Sequence, residues 1–127
     1  MTWLLLLALA ATPDHRLTPG AVAPDGPREV CSYGYARLHR PPLAASRLLK
    51  RAVFSRYGIP FSQMRFYELD HLIPLCLGGS SALENLWPEP WPDARVKDLD
   101  ELRLCRAVCS GRMRLSVARA LMAGWGR

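Results

Sequence analysis

The stretch from Glu68 to Pro90, ELDHLIPLCLGGSSALENLWPEP, decides the fold of this chain. It contains adjacent Asp70 and His71, a Gly-Gly pair at 78–79, and Asn85 just before an apolar patch. A carboxylate beside an imidazole offers one metal ligand and one base, which are the groups that metal-assisted hydrolysis of a phosphodiester requires. Because the two glycines allow a tight reversal, we expect Asn85 to return beside His71.

The same stretch predicts a hairpin. Residues 66–77 are dense in aromatic and branched side chains and predict a strand that is broken at Pro74. Residues 78–81 are expected to form the turn, and residues 83–87 the returning strand. The prolines of WPEPWP at 87–92 argue against helix or central sheet, so this run is expected to be an extended connector.

Three helices are predicted around the hairpin. One follows the Pro41-Pro42 pair and ends at Gly58, with apolar Leu48, Ala52 and Val53 at helical spacing and basic side chains that are either solvated or contact phosphate. A second covers residues 94–109, with Asp93 as its cap and Gly111 as its stop. Ser116 is expected to cap a short last helix, with Leu121 and Trp125 packing inward.

The amino terminus divides into two segments before the domain. Residues 1–11, MTWLLLLALAA, carry no charged side chain and are too short to span a bilayer, so they indicate a secretory signal peptide. A short buried strand or helix is the alternative for this run. Residues 12–30 are rich in Pro, Gly and Asp and predict an irregular, partly mobile segment, which leaves residues 31–127 as one small domain.

The charge of the chain favours a polyanionic partner. The formal net charge is +6, and Lys50 and Lys97 are the only lysines among seventeen basic residues. Arginine suits bidentate contact with phosphate, so nucleic acid is the obvious candidate. A coding bias that converts lysine to arginine explains the same composition without any functional meaning.

Four cysteines, at positions 31, 76, 105 and 109, follow the signal segment. An even number in an exported chain indicates disulfides, for which three pairings exist. Cys105 and Cys109 lie about one helical turn apart and are expected to pair outward rather than with each other. A zinc site is a weaker alternative, because the chain has no C-x-x-C pair.

Taken together, the order of strand, glycine turn, strand, connector and helix resembles the ββα-metal finger of the HNH endonucleases, in particular small exported HNH-like proteins. The resemblance covers residues 31–125, which is most of the chain after the expected signal peptide. It rests on five blocks: D-H-L-I-P-L at 70–75, G-G at 78–79, N-L-W-P at 85–88, K-D-x-x-E at 97–101 and V-C-x-G at 108–111.

The resemblance implies a role for each site residue. His71 is the expected general base that activates water, and Asn85 is expected to hold the imidazole through a hydrogen bond. Asp70 is the expected ligand of a divalent cation, Mg²⁺ or Mn²⁺. The implied activity is that of an HNH-type endonuclease, a hydrolase acting on the phosphodiester bonds of nucleic acid.

The chain departs from that family at two positions. The helix has no His or Asn to supply the usual second metal ligand, so Asp98 is the expected replacement, with Asp93 as an alternative. Lys97 cannot coordinate a metal while charged, but it could act electrostatically beside a phosphate. Cys76 stands where relatives carry a polar or acidic residue, which indicates a second disulfide or a free thiol, and the resemblance pairs Cys31 with Cys109.

The expected fold class is α+β, with a ββα-metal, HNH-like hairpin-plus-helix core and flanking helices. We expect a monomer that is secreted or periplasmic, has no membrane association after signal removal, and binds nucleic acid, with DNA favoured over RNA. Two alternatives stay open. One is a catalytically weakened or inactive member of the fold that binds nucleic acid or another partner, and the other is a disulfide-stapled interaction module.

Overall fold

The computed structural model describes residues 12–127, so the signal peptide expected at 1–11 lies outside the described residues. The described chain is an α+β fold in which one small antiparallel sheet is combined with helices. No helix in residues 12–127 is both long and apolar enough to cross a membrane. In chain order the elements are α1 Pro27–Val30, α2 Tyr35–His39, α3 Leu43–Arg56, β1 Tyr67–His71, β2 Leu86–Pro90, α4 Trp91–Cys109 and α5 Leu115–Ala123.

The hairpin forms as predicted, but its strands have different bounds. β1 and β2 pair antiparallel from Tyr67–Pro90 to His71–Leu86. The run at 87–92 is therefore not a connector, because residues 87–90 belong to β2. Prolines are tolerated here because both strands of a two-stranded sheet are edge strands, and a missing N–H can face away from the partner.

Short 3₁₀ turns take up the sequence that was expected to extend the strands. Leu75–Leu77 and Leu83–Asn85 each form such a turn on either side of the glycine pair. Gly78 has φ +77°, and a Cβ on Gly79 would collide with the backbone carbonyl of Ile73. Glycine is therefore required at both positions of this turn.

Helix α4 follows β2 directly. It begins at Trp91 with Pro92 in its first turn, where the missing N–H of proline costs no helical hydrogen bond. The prediction that Asp93 caps the helix was therefore wrong, because Asp93 lies in the first turn, where its charge suits the helix dipole. The predicted end is confirmed at Cys109, and the chain turns away at Gly111 with φ +77°.

The other two predicted helices are present with corrections to their inward faces. α3 ends before Gly58 and buries Val53 and its neighbour Phe54, while Leu48 is exposed. α5 begins one residue before Ser116, which therefore does not cap it. Leu121 is exposed rather than packed inward, whereas Trp125 packs against the core as expected.

Two buried clusters hold these elements together. The smaller one contains Val53, Phe54 and Leu86 and packs α3 against the hairpin. The larger one joins α1, α2, α4 and α5 to the turn region and contains Val30, Tyr35, Ile73, Leu77, Cys105, Val108, Leu115, Ala118 and Met122. The hairpin therefore lies between α3 and α4, with its turn end anchored by α5.

The amino-terminal segment packs on the hairpin. Thr18 is fully buried, and its hydroxyl donates to the carbonyl of Leu86 at 3.0 Å and hydrogen-bonds the Tyr57 hydroxyl at 2.6 Å. Val22 pairs with Gly79 in an isolated β-bridge. Residues 12–30 thus have little regular secondary structure, but they pack on the hairpin. The first helix, α1, begins within this segment, before Cys31.

Two disulfides connect the helices. Cys31 pairs with Cys109, as the resemblance implied, and links the end of α1 to the end of α4. Cys76 pairs with Cys105 and links the turn region to the middle of α4. Both helix cysteines thus pair outward, and the zinc alternative was wrong, because all four thiols are consumed.

Candidate functional site

A cleft of about 740 Å³ opens where β1 ends, between the hairpin, α4 and the connection from α2 to α3. Its charged lining is mainly acidic, although the protein as a whole is basic. The ionisable side chains that line it are Arg40, Glu68, Asp70, His71, Asp98 and Glu101. Three of the predicted site residues, Asp70, His71 and Asp98, therefore face one cleft.

His71 is held in a defined orientation at the end of β1. Its Nε2 lies 3.0 Å from the Ser81 hydroxyl, and its backbone carbonyl accepts a hydrogen bond from Lys97 at 2.9 Å. Burial lowers the pKa of His71 to about 4, with further lowering by Lys97 and Arg40. The imidazole is therefore neutral at neutral pH, and an Nε2–H donated to Ser81 leaves the Nδ1 lone pair as the basic position.

Asn85 has a different task from the one predicted. Its side-chain oxygen accepts from the backbone N–H of Ile73 at 3.0 Å, and its amide donates to the carbonyls of Ile73 and Ser80 at 3.0 and 2.9 Å. These bonds close the glycine turn and fully occupy the amide. Ser81, which the sequence analysis missed, is the residue that contacts the imidazole.

Lys97 is the central cation of the site. It is fully buried, and its ammonium donates to Asp70 Oδ2 at 2.8 Å, to the His71 carbonyl at 2.9 Å and to Glu101 Oε1. Burial by itself would lower the pKa of Lys97, but the two carboxylates raise it, so the ammonium stays charged. All three N–H groups are used within the site, so a role of Lys97 beside a phosphate stays a prediction of long-range electrostatics rather than of direct contact.

Asp70 is buried and shared between two donors. Its Oδ2 accepts from Lys97 and also from the indole N–H of Trp87 at 2.7 Å. Trp87 stands opposite Asp70 in the hairpin, so both side chains lie on the same face of the sheet. Lys97 thus supplies a cationic partner for the carboxylate that the resemblance implied to be a metal ligand.

Two further carboxylates lie beside Asp70 and were missed from the sequence. One oxygen each of Glu68, Asp70 and Glu89 fall within 4.8 Å of one another, and Asp98 does not belong to this group. Burial raises the pKa of Glu89 to about 9, with a further increase from Asp70. Burial likewise raises the pKa of Glu101 to about 7. The sequence signal that could have revealed Glu68 was the two-residue period of a strand, which puts Glu68 and Asp70 on one face.

These donors are suitable for the cation that the resemblance implies. Carboxylate oxygens are the preferred ligands of Mg²⁺ and Mn²⁺. Glu89 is fully buried, and as a carboxylate it has no hydrogen-bond partner for either oxygen among residues 12–127. When protonated, it can share a hydrogen bond with Glu68. Such a buried acidic side chain is the kind of group that a bound cation would satisfy.

Comparisons of the chain with models of protein families, with curated proteins and with solved structures found no match. The resemblance to the HNH endonucleases therefore rests on the residues quoted above. The site has to be interpreted from its own geometry.

Proposed function

We propose that this protein is a metal-dependent endonuclease of the HNH type that hydrolyses phosphodiester bonds in nucleic acid. The observation that carries the proposal is the position of His71, a neutral and oriented imidazole on a cleft lined by carboxylates. The antiparallel hairpin followed directly by α4 agrees with a ββα core.

The side chains around the cleft divide the work between them. His71 takes a proton from an attacking water at Nδ1, and Ser81 positions the ring by accepting from Nε2. Lys97 fixes the backbone of His71 and neutralises Asp70 in the absence of any other cation. Asn85 acts as a positioning residue, because it locks the turn that carries Ser81.

A divalent cation, Mg²⁺ or Mn²⁺, would be held by the carboxylates of the cleft. When bound, it would polarise the scissile phosphate and stabilise the leaving oxygen. Arg40 lines the same cleft and is suited to a flanking phosphate.

Further arginines form a separate basic surface that also suits a polyanion. Arg103, Arg106 and Arg112 surround a second recess of about 420 Å³ near the end of α4. Guanidinium groups contact phosphates without reading base sequence, so little sequence specificity is expected. The two disulfides are consistent with function outside the reducing cytosol, so we propose a secreted or periplasmic location.

The direct test is plasmid nicking by the oxidised protein with Mg²⁺, with Mn²⁺ and with EDTA. The proposal predicts relaxation of supercoiled DNA with one of the two metals and none with EDTA. Ser81→Ala should slow nicking while leaving the fold intact, because the imidazole loses its partner. Folded protein that fails to nick with either metal, or that nicks equally in EDTA, would contradict the proposal.

A second candidate function is favoured by Lys97. Because its ammonium already pairs with Asp70 and Glu101, this part of the site has a cation without any metal, and the fold can persist without catalysis. Such a protein would bind nucleic acid through its arginines alone. Its binding would weaken steeply with salt and would survive EDTA, which separates it from the nuclease.

A further inference from the structure

Three carboxylates converge on one face of the hairpin. Glu68 stands directly opposite Glu89 in the β-ladder, and Asp70 lies two residues further along β1. Because side chains two residues apart point to the same side of a strand, all three project together. One oxygen of each lies within 4.8 Å of the others.

Glu89 distinguishes this group from an ordinary acidic surface cluster. Its side chain is fully buried, it points into the group, and as a carboxylate neither of its oxygens has a hydrogen-bond donor among the described residues. Burying an ionised carboxylate without a partner is strongly unfavourable. A proton shared with Glu68 or a bound cation would each remove that penalty.

The neighbouring lysine does not supply the missing partner. The three N–H groups of Lys97 go to Asp70 Oδ2, the His71 carbonyl and Glu101. Lys97 therefore pairs with Asp70 and Glu101 and forms no ion pair with Glu68 or Glu89. An additional positive charge is what this side of the site lacks.

The cluster can be reached from solvent. Glu68 and Asp70 both line the large cleft, and Glu68 is half-buried, so an ion can approach from that side. Lys97 and Trp87 occupy Oδ2 of Asp70, which leaves Oδ1 for a ligand.

We propose that Glu68, Asp70 and Glu89 form a binding site for one hard divalent cation on the face of the hairpin. The site differs from the pair implied by the resemblance, because Asp98 lies outside it and Glu68 and Glu89 replace the helix ligand. The use of this cation in hydrolysis rests on the proposed function, whereas cation binding itself can be measured separately.

The test is Mn²⁺ binding to the oxidised protein, followed by electron paramagnetic resonance of the free ion and by calorimetry, with Mg²⁺ and Ca²⁺ as competitors. We expect one site per chain and an increase in Tm on binding. Glu89→Gln and Glu68→Gln should each weaken Mn²⁺ affinity by about tenfold or more. Glu84→Gln is the matched control, because Glu84 is exposed on the turn before β2, and it should bind as the wild type does.

The outcomes separate the site from the activity. One Mn²⁺ per chain, weakened by both variants and not by the control, supports the site whether or not plasmid is nicked. No binding of Mn²⁺ at millimolar concentration by folded wild type overturns it and leaves the shared proton as the explanation. Binding that neither Glu89→Gln nor Glu68→Gln weakens also overturns it, even if metal-dependent nicking is observed. Glu68→Gln decides the matter if Glu89→Gln does not fold.

Discussion

Lys97 defines the electrostatics of the site at the scale of single residues. A fully buried ammonium is tolerated only where its donors are satisfied, and here Asp70, Glu101 and the His71 carbonyl satisfy all three. The same contacts tie α4 to the end of β1. Lys97 therefore holds the general-base candidate in place.

Removing Lys97 should destabilise the protein strongly. Lys97→Met leaves Asp70 and Glu101 buried without their cation, and breaking such a pair costs about 3 to 5 kcal/mol of unfolding free energy. Urea denaturation at neutral pH measures the loss. Arg103→Met, at a side chain that is 77% exposed, is the control and should change stability by less than about 0.5 kcal/mol. Equal stability of the two variants would contradict this account of Lys97.

Glu89 should make the stability of the metal-free protein dependent on pH. Its folded pKa is about 9, far above the ordinary value of 4.5, so its favourable contribution is complete below pH 4.5 and is lost as the pH rises toward 9. In EDTA, the wild type should lose stability between pH 5 and pH 8, by on the order of 4 kcal/mol more than Glu89→Gln does, because about 1.4 kcal/mol is lost for each pH unit between the two pKa values.

Denaturation midpoints at the two pH values measure this difference. Glu84→Gln removes an exposed carboxylate and should keep the slope of the wild type. Parallel pH profiles for the wild type and Glu89→Gln would show that Glu89 is not held protonated in the folded state.

The sequence could name His71 and Asp70 but not their partners. An Asp-His pair beside a glycine turn is visible as a pattern, whereas the hydrogen bonds of Ser81 and Asn85 depend on the path of the turn. Glu89 was hidden because the prolines around it argued against a strand, and without the strand it has no register with Glu68.

At the scale of elements, the pair of disulfides and the hairpin fix the cleft from two sides. Cys76 lines the cleft and is bonded to Cys105 on α4, one turn beyond Glu101. The bond between Cys31 and Cys109 lies at the far end of α4. The two bonds should therefore differ in what they support.

Serine replacement of each pair should separate stability from site geometry. The bond between Cys31 and Cys109 closes the longer separation, 78 against 29 residues, so its loss should cost about 1 kcal/mol more in the chain-entropy model. Loss of the bond between Cys76 and Cys105 should instead weaken Mn²⁺ binding and nicking more, because it releases the turn region from α4. Chemical denaturation and the Mn²⁺ titration measure the two effects, and an identical loss of both properties in the two variants would contradict this division.

The longer helices were largely predictable, whereas the short α1 and α2 were not predicted and the strands were predicted with wrong bounds. α3 and α4 are bounded by Gly58 and Gly111, whose positive φ angles follow from local chemistry. The bounds of β2 depend instead on its being an edge strand, which allows Pro88 and Pro90 within it. That condition is a property of the assembled sheet.

At the scale of the whole molecule, a basic chain carries an acidic cleft. The net charge is +6, while four carboxylates and one arginine line the cleft beside His71. A polyanion attracted by the surface would be repelled at the cleft unless a cation is present there. This arrangement predicts that the proposed hydrolysis depends on a metal ion.

The most direct measurement is the single-turnover rate of plasmid nicking in Mn²⁺ by wild type, His71→Ala and His39→Ala. His39 is exposed, stacks on Tyr35 and does not line the cleft, so it is the matched histidine control. The account predicts a loss of about 10²- to 10⁴-fold for His71→Ala, with folding and both disulfides retained, and an unchanged rate for His39→Ala. Nicking by folded His71→Ala at the rate of the wild type would contradict it.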